Sequence, residues 1–144
     1  MGGRDSDPSQ GKLQKRQGRL SGITLDAGGL IALDRNNRHV IALLARTTDV
    51  GMRVTVPATA LAQAMRNPAR QARLSRLIRQ SSTDVAALDG AHATVVGILL
   101  ARTATVDIAD AHVVICAQRA GQAVVTSDPK DIRRLAPALH LVVV

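Results

Sequence analysis

The stretch that decides the fold is residues 107–128, which read DIADAHVVICAQRAGQAVVTSD. Residues 108–120 are predicted to form a helix, because Gly121 is the kind of residue that closes one. The β-branched run at residues 123–126 then predicts a buried strand. A helix that leads directly into such a strand is typical of a parallel sheet.

The same alternation of short strands and longer helices extends outward from this stretch. Strands are predicted at residues 23–25, 54–56, 84–87, 123–126 and 139–144. Helices are predicted at residues 30–33, 37–47, 57–65, 68–80, 91–102, 108–120 and 129–135. This pattern predicts an α/β fold whose five-stranded parallel sheet is covered by helices on both faces.

Length and composition limit the chain to one compact domain of ordinary globular character. It has 144 residues, of which 46% are hydrophobic and 21% are charged. Residues 22–144 form the predicted domain. Residues 1–21, which are polar and basic without an apolar period, are predicted to form a disordered arm. No apolar segment is long enough for a signal peptide or a membrane span, so we expect a cytoplasmic protein without membrane contact.

Charge and the missing residue types narrow the classes of function. The chain carries 19 Lys and Arg against 11 acids, a net charge of +8, and its acids are all Asp. This balance favours a phosphate-bearing partner, although the compositional drift of a GC-rich gene would produce it too. Phe, Tyr and Trp are absent, which excludes aromatic platforms for RNA bases. The single Cys116 excludes an internal disulfide and a thiolate zinc site.

Aspartates follow the predicted strands at the sheet edge where open parallel sheets bind ligands. Asp26 ends the first strand and Asp128 follows the fourth, while Asp107 and Asp110 open the helix that leads into the fourth. If the first and fourth strands are neighbours, these carboxylates converge and repel one another. A divalent cation would relieve the repulsion, and hard oxygen ligands select Mg²⁺ or Mn²⁺.

Helix capping is the alternative interpretation of each of these aspartates. Asp26 suits the N-cap of the first helix, and Asp107 with Asp110 suits the N-cap and N3 positions of another. Asp128 stands before Pro129, a residue favoured at the first helical position. The sequence leaves both interpretations open for every position.

Four segments together resemble the successive motifs of PIN-domain ribonucleases, especially the bacterial VapC-type toxins. They are Leu25-Asp26, Val56-Pro57-Ala58, DIADAHVV at residues 107–114 and TSDPKDI at residues 126–132. The resemblance spans about residues 22–143. It implies a strand order of 3-2-1-4-5 and a metal-dependent endoribonuclease that hydrolyses RNA phosphodiester bonds. It further implies a toxin that forms a homodimer and is inhibited by a small antitoxin.

The resemblance also implies roles for individual residues. Asp26, Asp110 and Asp128 would be the ligands of Mg²⁺ or Mn²⁺, with Asp107 and Asp131 as supporting acids. The Thr126 hydroxyl would lie beside the site.

Gln63 departs from the family pattern, because it stands where the family usually has Glu. An amide oxygen can ligate a metal ion or orient a water molecule, but it carries no charge and cannot act as a base. Either Asp107 compensates or the activity is reduced.

Possible substrate contacts come from one histidine and a row of arginines. His112, beside Asp110, is a candidate for contact with RNA, as are Arg66, Arg70 and Arg73, which are predicted to share a helical face. The alternatives are a structural histidine and a solvated arginine face. In the resembling toxins this neighbourhood also meets the antitoxin.

Two other classes of protein are alternatives to a ribonuclease. The first is a catalytically weak or silent PIN-like module that binds RNA or a protein partner, which Gln63 favours. The second is a phosphoacceptor receiver domain, which the region of the third strand does not support. Gly-rich nucleotide-binding loops are absent from the sequence.

Overall fold

The computed structural model describes residues 20–144. Strands and helices alternate along them: β1 (Gly22–Leu25), α1 (Ala27–Asp34), α2 (Arg38–Asp49), β2 (Arg53–Pro57), α3 (Ala58–Ala64), α4 (Ala72–Arg79), β3 (Thr83–Ala86), α5 (Gly90–Thr103), α6 (Ile108–Ala120), β4 (Ala123–Thr126), α7 (Pro129–Leu135) and β5 (Leu141–Val143). A basic arm is predicted at residues 1–21, and residues 1–19 of it lie outside the described residues. Ser21 is bonded to the fold, since its N–H donates to the Gly121 carbonyl at 3.0 Å.

The five strands form one parallel sheet in the order β3-β2-β1-β4-β5, which confirms the predicted order. β1 lies in the centre, with Thr24 opposite Thr55 of β2 and Val124 of β4. Every residue of β1 and β4 is buried. Because successive residues of a strand point to opposite faces, both faces of the central sheet are covered by helices.

Helix α6 is the most deeply buried helix of the described chain. Ala109 and every residue from Ala111 to Ala117 are buried, and the helix packs on β1, β2 and β4 as well as on α5. Val113, Val114 and Ile115 have poor intrinsic helix propensity. Tertiary packing therefore stabilises this helix, which holds the Asp107 to Asp110 turn at the edge of the sheet.

Several predicted boundaries are wrong, and the largest error concerns the helix expected to start at Pro68. The helix begins at Ala72, because Asn67 folds the preceding residues into a turn. The Asn67 carbonyl accepts from the N–H of Arg70, and the Gln71 side chain accepts from the N–H of Arg66 and of Asn67. Local side-chain bonding therefore replaces the first helical turn.

Two strand boundaries also differ from the prediction. Pro57, expected to begin a helix, ends β2 opposite Ala86. β5 is shorter than expected, because the Leu139 N–H is engaged in a turn with the Ala136 carbonyl. Between residues 20 and 144, no helix combines the length and the apolar character needed to cross a bilayer.

The N-terminal turn of α1 lies unusually close to β4, at Gly29. A Cβ added there would lie 2.6 Å from the Val125 carbonyl oxygen, a backbone atom that cannot swing away. Gly29→Ala is therefore expected to lower the free energy of unfolding by about 1 to 3 kcal/mol, measured by urea denaturation.

Gly97→Ala in α5 is the matched control, because no atom lies within 4 Å of the added Cβ. Helix propensity should make it neutral or stabilising by up to about 1 kcal/mol. Equal stability of the two variants would contradict the close approach of α1 to β4.

Candidate active site

The centre of the sheet brings the ends of β1 and β4 together. The parallel ladder continues past β1, since the Asp26 N–H donates to the Val125 carbonyl at 3.2 Å. A Cβ at Gly28 would lie 2.2 Å from Ser127 Oγ, so the start of α1 rests on the connection that follows β4. Asp26 and the segment at residues 126–128 are thus neighbours at one edge of the sheet.

Asp26 caps α1 and also belongs to this edge. Its Oδ1 accepts from the Gly29 N–H at 2.7 Å, and only 5% of the residue is exposed. Burial raises the pKa of Asp26 above its ordinary value, although hydrogen bonds from Thr126 and Gly29 oppose the rise. The capping interpretation is therefore correct for Asp26, but one cap leaves the carboxylate in a poorly solvated position.

Asp107 and Asp110 divide two tasks at the start of α6. Asp107 is the N-cap, and its Oδ1 accepts from the Asp110 N–H at 2.9 Å. The carboxyl group of Asp110 makes no capping bond. Its pKa is raised to about 7, first by burial and then by the negative charges of Asp107, Asp26, Asp131 and Asp128. All five acids are therefore close enough to interact electrostatically.

Thr126 and Asp128 complete this edge of the sheet. Thr126 is fully buried at the end of β4, and its hydroxyl accepts from the Asp128 N–H at 3.0 Å. Asp128 occupies the N-cap position of α7, but its side chain makes no capping bond. The capping interpretation is thus wrong for the Asp128 side chain, which is exposed and free to act elsewhere.

The acids converge without forming a closed ligand set. Within residues 20–144, no three Asp, His or Cys side chains lie close enough together to enclose a metal ion as they stand. The donors are hard oxygens in a region that disfavours further negative charge, so their chemistry fits Mg²⁺ or Mn²⁺. Binding an ion would require at least one carboxylate to rotate towards the others.

Gln63 is exposed on α3, one of the helices packed against α1. No hydrogen bond joins it to the acids among the described residues. Its expected place beside the carboxylates stays a prediction.

The expected contact between His112 and substrate is wrong for this conformation, because His112 has no exposed surface. Its Nδ1 is 2.8 Å from Thr59 Oγ1, and burial lowers its pKa. His112 therefore joins α6 to α3 inside the protein. Its Nε2 has no hydrogen-bond partner in the described chain.

The prediction that Arg66, Arg70 and Arg73 share the face of one helix is also wrong. Arg66 and Arg70 lie in the connection between α3 and α4, and only Arg73 lies on a helix. The Arg66 guanidinium donates to the carbonyls of Ala62 and Met65, each at 2.8 Å. The Arg66 guanidinium is therefore occupied by carbonyls at the end of α3.

Sequence reasoning did not identify Arg134, which lines a pocket together with Asp107, Asp110 and Asp131. The signal was the spacing of Asp131 and Arg134 by three residues on one helix, which places them on the same side. Asp26 and Asp128 are recognisable in the sequence because they follow predicted strands. Arg134 lies near the end of α7 and follows no strand.

No family model and no curated protein matches the sequence. Solved structures do match the fold. A chain of VapBC2 from Rickettsia felis, in a complex bound to a DNA fragment from its promoter, aligns with a TM-score of 0.61 at 14% identity, covering 85% of this chain and 98% of that chain. A chain of FitAcB from Neisseria gonorrhoeae aligns with a TM-score of 0.51 at 17% identity, covering 83% and 95% respectively.

This chain shares its fold with both of these chains. The likeness agrees with the sheet order β3-β2-β1-β4-β5, and at these identities it concerns the fold alone.

The crowding around Asp110 gives a dependence of stability on pH. The folded state holds the Asp110 proton more tightly than the unfolded chain does, so stability falls as the pH rises from about 4 towards about 7. Asp110→Asn removes this loss. At pH 8 in EDTA, the free energy of unfolding of the variant should exceed that of the wild type by about 1 to 2 kcal/mol, a figure reduced for solvent screening.

At pH 4 the two proteins should differ little, because Asp110 is then protonated. Asp49→Asn, at the exposed end of α2, is the control and should show no such trend. Urea unfolding at both pH values provides the measurement. A gain for Asp110→Asn that does not depend on pH would contradict the electrostatic origin.

Proposed function

We propose that this protein is an endoribonuclease that depends on Mg²⁺ or Mn²⁺ and acts in the cytoplasm as the toxin of a toxin–antitoxin pair. The observation that carries the proposal is the convergence of five Asp carboxyl groups at one edge of the sheet, where burial and the other four charges raise the pKa of Asp110 to about 7. Groups with such perturbed pKa values are enriched at functional sites. The PIN-domain fold supports the choice of a nuclease.

Asp26, Asp110 and Asp128 would hold the metal ion. When bound there, the ion supplies positive charge that stabilises the developing charge on the scissile phosphate and lowers the pKa of a bound water. Asp26 is the fixed member, because its cap to Gly29 holds it in place. Asp128 and Asp110 are free of caps and are the members able to rotate.

Asp107 and Thr126 act by positioning the others. Asp107 fixes the first turn of α6 from which Asp110 projects, and Thr126 fixes the backbone of Asp128 while bonding to Asp26. Asp131 adds negative charge near Asp110. These three residues keep the charges close together.

RNA and a small antitoxin are the partners we propose, together with a second copy of the chain. A groove of about 670 Å³ separates α2 from α4 and is lined by Leu33, Ile41, Leu44 and Leu77, with Arg73 and Arg76 at its side. An apolar groove of this kind suits the apolar face of a partner segment. A neighbouring gene for a short DNA-binding protein would support the antitoxin.

A catalytically weak or silent PIN-like module is the second candidate function. Gln63 favours it, because an uncharged amide stands where the family usually has a carboxylate. Such a module would bind RNA or a protein partner without cutting RNA.

The nuclease proposal is tested with purified protein and single-stranded RNA in Mg²⁺ or Mn²⁺. We expect cleavage that EDTA abolishes and that Asp26→Asn or Asp110→Asn reduces by about 100-fold or more, since each removes a ligand charge from the reacting centre. Rates are read from end-labelled RNA on a gel.

Asp49→Asn is the control for the loss of one acid and should cleave at the wild-type rate. Cleavage that survives both site substitutions would refute this site. Failure of the wild type to cleave in either metal would favour the silent module.

Gln63→Glu tests the departure from the family pattern. If the amide limits metal binding, the added carboxylate should tighten Mn²⁺ binding by about tenfold, the effect of roughly 1.4 kcal/mol, and should raise the cleavage rate. Calorimetry of the wild type and the variant measures the affinity. Unchanged affinity and rate would mean that Asp107 or another acid already fills the role.

A further inference from the structure

A small pocket opens directly beside Asp110, with a volume of about 260 Å³. One wall is the connection from α5 to α6, which includes Val106 and Asp107. The other wall is α7, with Asp131, Arg134 and Leu135. The volume falls just below the range of about 300 to 1,000 Å³ that holds drug-sized ligands, so the pocket suits one nucleobase better than several nucleotides.

The charges of this pocket favour an uncharged group over a phosphate. Three carboxylates line it, from Asp107, Asp110 and Asp131, against the single guanidinium of Arg134. A phosphate would be repelled, whereas N–H groups of a neutral ligand would be accepted by the carboxylates. The pocket is therefore complementary to a base that is rich in donors.

Arg134 is available to a ligand as well. It lies within the same pocket as Asp107 and Asp131, yet forms no ion pair with either of them at 4 Å or less. Asp107 uses one oxygen to cap α6, which leaves the other oxygen free. The N–H donors of the Arg134 guanidinium and free carboxylate oxygens thus line the same pocket.

The apolar part of the pocket offers a surface for the face of a base. Val106 is 91% exposed, although such a side chain is usually shielded from water. Ala104, in the left-handed region at φ 54°, turns the chain out of α5 just before it. In a chain without aromatic residues, the exposed Val106 supplies apolar contact on which a base can rest.

We propose that this pocket binds the base next to the scissile phosphate and prefers guanine, an inference that rests on the proposed ribonuclease function. Guanine presents two adjacent donors, N1–H and N2–H, to a carboxylate of Asp107 or Asp131. Its other edge presents two adjacent acceptors, O6 and N7, to the guanidinium of Arg134. Adenine and uracil have neither paired edge and cytosine has only the pair of acceptors, so none of them can form both paired contacts.

The cleavage experiment uses short single-stranded RNAs that differ only in the bases flanking the cut. In Mn²⁺, the wild type should cleave beside guanine about tenfold faster than beside the other bases, as expected for one bidentate contact. Arg134→Gln should lower the rate of cleavage beside guanine by about tenfold, to the rate beside the other bases. Arg133→Gln is the matched control, because Arg133 is exposed on the same helix but does not line the pocket.

Nucleoside binding in EDTA tests the pocket without catalysis. Guanosine should bind about tenfold more tightly than adenosine, cytidine or uridine by NMR titration, a selectivity that Arg134→Gln should lose and Arg133→Gln should keep. Equal binding of the four nucleosides, or selectivity that survives Arg134→Gln, would overturn the proposal.

The two experiments fail in distinguishable ways. If the wild type cleaves RNA without any base preference, the pocket is refuted and the nuclease stands. If guanosine binds selectively but no RNA is cut in Mg²⁺ or Mn²⁺, the guanine pocket is supported and the nuclease is refuted.

Discussion

The parallel pairing of β1 with β4 is the constraint on which the acidic site depends. β1 ends at Leu25 opposite Val125, so Asp26 and the segment after β4 emerge side by side. The buried helix α6 then brings Asp110 to the same edge, because its packing on β1, β2 and β4 fixes its N-terminus. Without that pairing, Asp26 and the segment that carries Asp128 would not meet at one edge of the sheet.

Capping and charge crowding act on the same residues with opposite effects on stability. The caps made by Asp26 and Asp107 stabilise α1 and α6. The same two carboxylates, with Asp128 and Asp131, disfavour the ionised form of Asp110. A fold that tolerates such a group sacrifices stability at this edge of the sheet.

The strands and most helices were predictable, because local pattern and packing agree in them. At β4 the apolar run is also the buried strand, and at α6 the closing Gly121 is in the left-handed conformation. The strand order followed from the family resemblance, since alternation alone does not say which strands are neighbours. The helix predicted to start at Pro68 begins later, because the Gln71 side chain forms hydrogen bonds that the periodicity of the sequence does not reveal.

The site was predictable in its acids but not in its surroundings. An aspartate that follows a strand is visible in sequence, whereas the burial of His112 depends on how α3 packs against α6. The same holds for Arg134, whose place beside Asp110 depends on the approach of α7 to the loop before α6. Contacts between distant segments decide these features.

The pKa of Asp110, measured by carbon-detected NMR titration of its carboxyl group without metal, tests most directly that the five acids act as one cluster. The account predicts a value near 7 that falls when either neighbour is neutralised, in Asp107→Asn or in Asp131→Asn. A value near 4 that neither substitution moves would contradict it.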